Sequence, residues 1–218
     1  MKNKYTHLKS RVLSSLPAAF LKNKDGIAAI EFAFIAPVML FMYFGMAEVA
    51  TAISVDRQVS HSANVAGDLT TQSETVSADE MSEIMTATML VMGIPSSKQS
   101  KVKIEISSYS RASDDSIVQR GRATLNGPFP STFDASSLDK RILSNTSGIV
   151  VARVVYSYTP LKLRYMKTDV DLQEVFMLKP RKSANVDIED TSGGTSSNNY
   201  SCSFSSGKPN CTTNGNVT

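Results

Sequence analysis

Cysteine and histidine are scarce in this 218-residue chain, with two of each. No C-x-x-C pair occurs and no histidine accompanies the cysteines, so the usual ligand sets of metal and dithiol redox sites are missing. His7 and His61 each stand alone. A Walker A loop, a G-x-S-x-G elbow, an H-E-x-x-H pair and a dinucleotide fingerprint are absent as well. Carboxylates are scattered or gather at solvated ends such as Asp187-Ile188-Glu189-Asp190. The chain therefore reads as structural rather than enzymatic, with no cofactor and no metal. Excess positive charge is missing from most of its length. The net charge is +3, yet residues 1–26 hold six bases against one acid, and the other 192 hold 17 bases against 19 acids. A nucleic-acid surface needs bases on a folded face, and here they sit in a short leader.

What is present begins directly after that leader. Residues 27–47, IAAIEFAFIAPVMLFMYFGMA, contain one charged residue, Glu31, in 21 positions. As a helix this run reaches about 31 Å, one hydrocarbon core of a lipid bilayer. Bases precede it, while Glu48 and Asp56 follow with Arg57 the nearby base. The positive-inside rule then puts the N-terminus in the cytoplasm and the remainder across a single-pass membrane. Pro37 is tolerable in such a helix. A cleaved secretory signal is the competing reading, and Ala50-Thr51-Ala52 has an A-x-A look. An h-region, however, runs about 7–15 residues, and this run is longer and carries a carboxylate.

Glu31 requires its own account, because a carboxylate at the bilayer centre costs roughly 2.5–3.5 kcal/mol. It can snorkel to the cytoplasmic edge or pair with another helix. A cut between Gly26 and Ile27 would also create an α-amino cation at Ile27, one helical turn from Glu31. The stretch Lys24-Asp25-Gly26 followed by Ile27-Ala28-Ala29-Ile30-Glu31-Phe32 resembles the processing site of type IV prepilins and pseudopilins. With Ala33-Phe34-Ile35-Ala36-Pro37, Gly45 and Glu48 it resembles the TadE/TadG-like minor pilins of the tight-adherence (Tad, Flp) pilus system. Lys179-Pro180-Arg181 is similar to an R-P-R stretch of that family, with Lys179 in place of Arg. The resemblance is dense over residues 24–60 and diffuse afterwards. It implies a minor pilin needed for pilus assembly, with Gly26 and Ile27 as the prepilin peptidase site. Glu31 and Phe32 would then set subunit register and assembly. Implied partners are other pilins through the N-terminal helix, the prepilin peptidase, the Tad inner-membrane platform and the lipid bilayer, with no nucleic acid. The implied location is the bacterial inner membrane, with a periplasmic head that can enter the pilus at the cell surface. The alternative is an unprocessed single-pass adaptor of an envelope assembly or secretion complex.

Beyond the membrane run, Ala52, Val55, Val59, Ser62, Ala66 and Leu69 recur at alternating spacings of three and four, an amphipathic stripe. It packs either on the chain's own head or on another pilin, and the intramolecular reading is preferred. Gly67 and Thr70-Thr71-Gln72-Ser73 mark its end. Ser77-Ala78-Asp79-Glu80 is a capping-box pattern opening a second helix. Met81, Ile84, Met85, Met89 and Met92 form its apolar stripe, read as core rather than soft-metal site, and Gly93-Ile94-Pro95 stops it. Strands are expected at 101–106, more weakly at 116–125, at 148–158 as the central strand, and at 170–178. Residues 127–130 read as a loop and 136–141 as a short helical turn.

Residues 191–218 are rich in Ser, Thr, Gly and Asn, which predicts a loose tail. Both cysteines lie there, and outside the cytoplasm Cys202 and Cys211 are expected to form a disulfide. The resulting expectation is an α+β protein. It has a basic leader (1–26), a transmembrane helix (27–47), a helical stalk and loop (48–76), a head (77–190) and a tail (191–218). The head combines a second helix with an antiparallel sheet of three to four strands.

Overall fold

The computed structural model describes residues 26–127, 129, 133–160, 169–188, 199–205 and 207–214. Residues 1–25 of the basic leader, Pro128 and Pro130 of the expected loop, Glu189 and Asp190, and tail residues 191–198, 206 and 215–218 lie outside the described residues. The chain divides into two units, Met1–Ala50 and Thr51–Thr218. Helix α1, Ile27–Thr71, runs through both.

In the first unit α1 is solvent-exposed along almost its whole apolar run, from Ile27 to Val49. An 18-residue window of it is long and apolar enough to cross a membrane, and none of that window is buried. Such a surface is at odds with water and suited to lipid or to other helices.

In the second unit α1 buries Val59, Ser62, Ala63, Ala66, Gly67, Thr70 and Thr71. Ala52, Val55 and Leu69 pack against the same core, so the amphipathic stripe serves the chain's own fold. Its small residues allow close approach. At Gly67 a Cβ would stand 2.4 Å from Leu178 Cδ1 and 3.4 Å from Ala152 Cβ. The buried hydroxyls are satisfied along the helix, Ser62 Oγ donating to Val59 C=O at 2.7 Å and Thr70 Oγ1 to Ala66 C=O at 2.8 Å.

Helix α2, Ala78–Met92, starts at the predicted box. The Ser77 N–H donates to Glu80 Oε2 at 2.9 Å, and the Glu80 N–H donates to Ser77 Oγ at 3.3 Å. It ends at Gly93, whose left-handed φ of 64° closes the last turn on Leu90 C=O. All five stripe residues are buried in the main core. Each contributes about 1.5–3 kcal/mol as apolar burial.

The strands are β1 (Thr75–Val76), β2 (Val102–Arg111), β3 (Ile117–Leu125), β4 (Gly148–Tyr158), β5 (Val170–Leu178), β6 (Asp187–Ile188), β7 (Asn199–Ser205) and β8 (Lys208–Asn214). β1 and β6 form a two-stranded parallel pair, and the other six form one sheet in the order β5-β4-β2-β3-β7-β8. The α+β class holds, but the sheet has six strands rather than three or four. It is also mixed, because β3 and β7 run parallel. β4, expected at the centre, is interior but stands next to edge strand β5, and β2 and β3 are the middle pair. Part of the difference comes from the expected loose tail, where Asn199–Ser205 and Lys208–Asn214 pair as the β7–β8 hairpin. Tyr200 and Cys202 alternate into the core, and Cys202 stands opposite Cys211. Backbone pairing to β3 and the cross-link offset a composition too polar to build a core of its own.

The sheet buries both faces of β4. Val150, Ala152, Val154 and Tyr156 face the helices' core, while Ile149 and Val151 join Tyr109, Leu138 and Leu143 in a second cluster. Two-sided burial explains why this strand reads as a continuous apolar run.

Candidate processing and assembly segment

Gly26 stands in a turn, and its C=O accepts the Ile30 N–H at 3.1 Å, the first bond of α1. Helical φ/ψ therefore begins at Ile27, the residue expected to follow the cut. A Cβ built on Gly26 meets nothing within 4 Å among the described residues, and its φ is not in the left-handed region. The described fold thus gives no steric reason for glycine there. Ile27 is 53% exposed and Phe32 68% exposed. Glu31 follows Ile27 by one turn on the same helix face, and no described side chain pairs with it. Pro37 lies inside the helix and removes the N–H that Ala33 C=O would accept. The segment is thus a helix N-terminus with an accessible peptide bond before it and a lone carboxylate one turn in, all on an uncovered apolar surface.

The other end of α1 is tied down within the second unit. The Arg181 backbone N–H donates to Thr71 C=O at 3.0 Å, satisfying one of the carbonyls left over at the helix C-terminus. The Arg181 guanidinium also pairs with Asp68, whose other oxygen accepts from Gln72 Nε2 at 3.1 Å. Lys179-Pro180-Arg181 therefore serves as the anchor of the helix end, a role that its spacing in sequence does not disclose.

Elsewhere the polar groups are engaged structurally. Glu105 is buried, with Oε1 accepting from Arg153 at 3.0 Å and Oε2 from Arg122 Nε at 3.0 Å. The Phe129 ring lies 4.4 Å from the Arg153 guanidinium carbon. Removing either partner of such a buried pair leaves an uncompensated charge. Arg111, also buried, donates to Leu143 C=O at 2.8 Å and Leu138 C=O at 2.9 Å, holding the 135–147 segment on β2. Beside it Tyr109, Ile117 and Gln119 line an open cleft of about 560 Å³. Burial pushes the Tyr109 phenol above its ordinary pKa, with the neighbouring Ser107 hydroxyl opposing the shift. Cys202 and Cys211 form the disulfide, with Cα atoms 4.0 Å apart. Among the described residues no cluster of three or more His, Cys, Asp or Glu is placed to hold a metal ion.

Residues 26–68 match the family model of TadE-like protein. The match opens on Gly26 and covers about a fifth of the chain, all of it helix but its first residue. No curated protein and no solved structure matches the chain. The TadE-like segment points to a protein associated with Tad pili, in a family that is structural and not known for enzymes. The exposed apolar helix is compatible with a single-pass membrane protein. Of the expected site residues, Gly26, Ile27, Glu31 and Phe32 fall together at the start of α1, and the cysteines belong to the sheet of the second unit.

Proposed function

We propose that this chain is a minor pilin or pseudopilin needed to assemble a Tad (Flp) pilus, matured by a prepilin peptidase that cuts after Gly26. One observation carries the reading. The TadE-like match opens on a glycine with no steric role in the described fold, at the start of an uncovered apolar run, residues 27–47, that bears one carboxylate. The cut removes a leader of net charge +5 and leaves an α-amino cation on Ile27. In a low-dielectric bilayer that cation and Glu31 each need a counter-charge. A Glu31 of one subunit facing the Ile27 amine of its neighbour satisfies both and fixes the axial register between subunits. The leader stays in the cytoplasm and the second unit lies outside, where the Cys202–Cys211 disulfide persists.

Deletion of the gene followed by complementation tests this. The wild-type chain restores pili, and Glu31→Ala inserts at least as well but restores few or none. Normal piliation by Glu31→Ala contradicts the register role. Full activity of a chain that keeps its leader instead favours an unprocessed envelope adaptor.

A further inference from the structure

We propose that the β5 edge is a self-association surface, on which a second copy of this chain adds its own β5 antiparallel, centred on Val175 opposite Val175. The two edges of the six-stranded sheet differ. β8 carries Lys208 and Pro209, devices that discourage strand addition, and α2 lies against it, the Ser82 hydroxyl donating to Pro209 C=O. β5 pairs with β4 in unbroken register from Val170↔Tyr158 to Leu178↔Val150, with no bulge, and contains neither Pro nor Lys. β4 is its only strand partner among the described residues. Among the described residues, one row of its backbone N–H and C=O groups is therefore left without a strand partner along nine residues.

The side chains choose the occupant. Leu172 and Phe176 pack on the core, while Asp171, Gln173, Val175, Met177 and Lys179 are all exposed on the opposite face. Val175 is 37% and Met177 44% exposed. Centring two antiparallel copies on Val175 puts Val175 beside Val175, Met177 beside Gln173, and Lys179 opposite Asp171 twice. Pro180 falls opposite Val170 at the very end of this register, where a missing N–H costs least. The Ser157 hydroxyl donates to Asp171 Oδ1 at 2.6 Å, which holds that carboxylate in place over the sheet. Shifting the centre four residues toward the N-terminus, to Asp171, would instead set like charges opposite each other. Charge complementarity of the strand with itself thus favours a second copy. The inference rests on the sheet edge alone and is independent of processing at Gly26.

The test uses the full chain in its membranes. Native Cys202 and Cys211 are bonded to each other, so a single added thiol reports alone. Val175→Cys with a short bis-maleimide gives covalent dimer, whereas Ile142→Cys, at 45% somewhat more exposed than Val175, does not. In detergent, Asp171→Lys weakens self-association by roughly an order of magnitude, and Asp171→Lys with Lys179→Asp restores it. An intact disulfide by mass certifies folding of each variant. The proposal is overturned if Val175→Cys yields no more dimer than Ile142→Cys, if the double reversal fails to recover association, or if the added thiol captures a different protein in place of its own copy.

Discussion

At Gly121 a Cβ would lie 2.5 Å from Ile188 Cβ and 2.8 Å from its carbonyl oxygen, on a backbone with φ near 154°. Gly26 has open space around it and no such φ. These two glycines make opposite predictions. Gly121→Ala costs about 1–3 kcal/mol by forcing β3 away from the β6 strap, read as a lowered thermal midpoint. Gly26→Ala leaves the fold of the second unit unchanged and blocks processing, read as retained leader mass on a normally folded protein. Charge at single residues sets an acid limit. The Lys101 ammonium hydrogen-bonded to Asp169 holds its carboxyl below the ordinary range, as Lys140 does for Asp115. A depressed carboxylate contributes stability that is complete above its unfolded pKa and is lost as pH falls through its folded value. The second unit therefore loses stability below about pH 4, checked by unfolding midpoints across pH 2–7. A midpoint that rises on acidification contradicts those pairings.

At the scale of elements, legibility followed the range of the determining interactions. The box at Ser77–Glu80 and the Gly93 cap are complete within a few residues of chain, and α2 begins and ends as its sequence says. Ser77→Ala should cost about 1 kcal/mol, seen as a lower unfolding midpoint with the sheet unaltered. β4 and β5 match their expected limits because turn residues and β-branched runs bound them locally. The β7–β8 hairpin was hidden for the converse reason. Its stability comes from the cross-link, which the two cysteines announce, and from parallel pairing to a strand some eighty residues earlier, which a run of Ser, Thr and Asn does not disclose. The period-two placement of Tyr200, Cys202 and Phe204 was the available signal. Arg181 likewise stands out in sequence only for its motif, while its link to Thr71 and Asp68 depends on the fold.

For the whole molecule, the segment that carries function and the fold that displays it are separable problems. The residues proposed for processing and assembly, Gly26, Ile27, Glu31 and Phe32, lie within six positions of one helix start, so the candidate segment is a local feature of the sequence. The second unit is a long-range construction closed at its C-terminal end by the disulfide-bonded hairpin. Reducing Cys202–Cys211, or replacing both by Ser, removes about 2–3 kcal/mol by the chain-entropy estimate. For a unit of this size that corresponds to a drop of roughly 4–10 °C in the thermal midpoint. No change on reduction contradicts the closing role. The central claim, however, concerns the other end of the chain. The most direct test is the intact mass and N-terminal sequence of the protein taken from membranes, with and without an active prepilin peptidase. A chain beginning Ile27-Ala28-Ala29-Ile30-Glu31 is expected when the peptidase is present and a leader-bearing chain when it is absent. A leader retained in the presence of the active peptidase contradicts it.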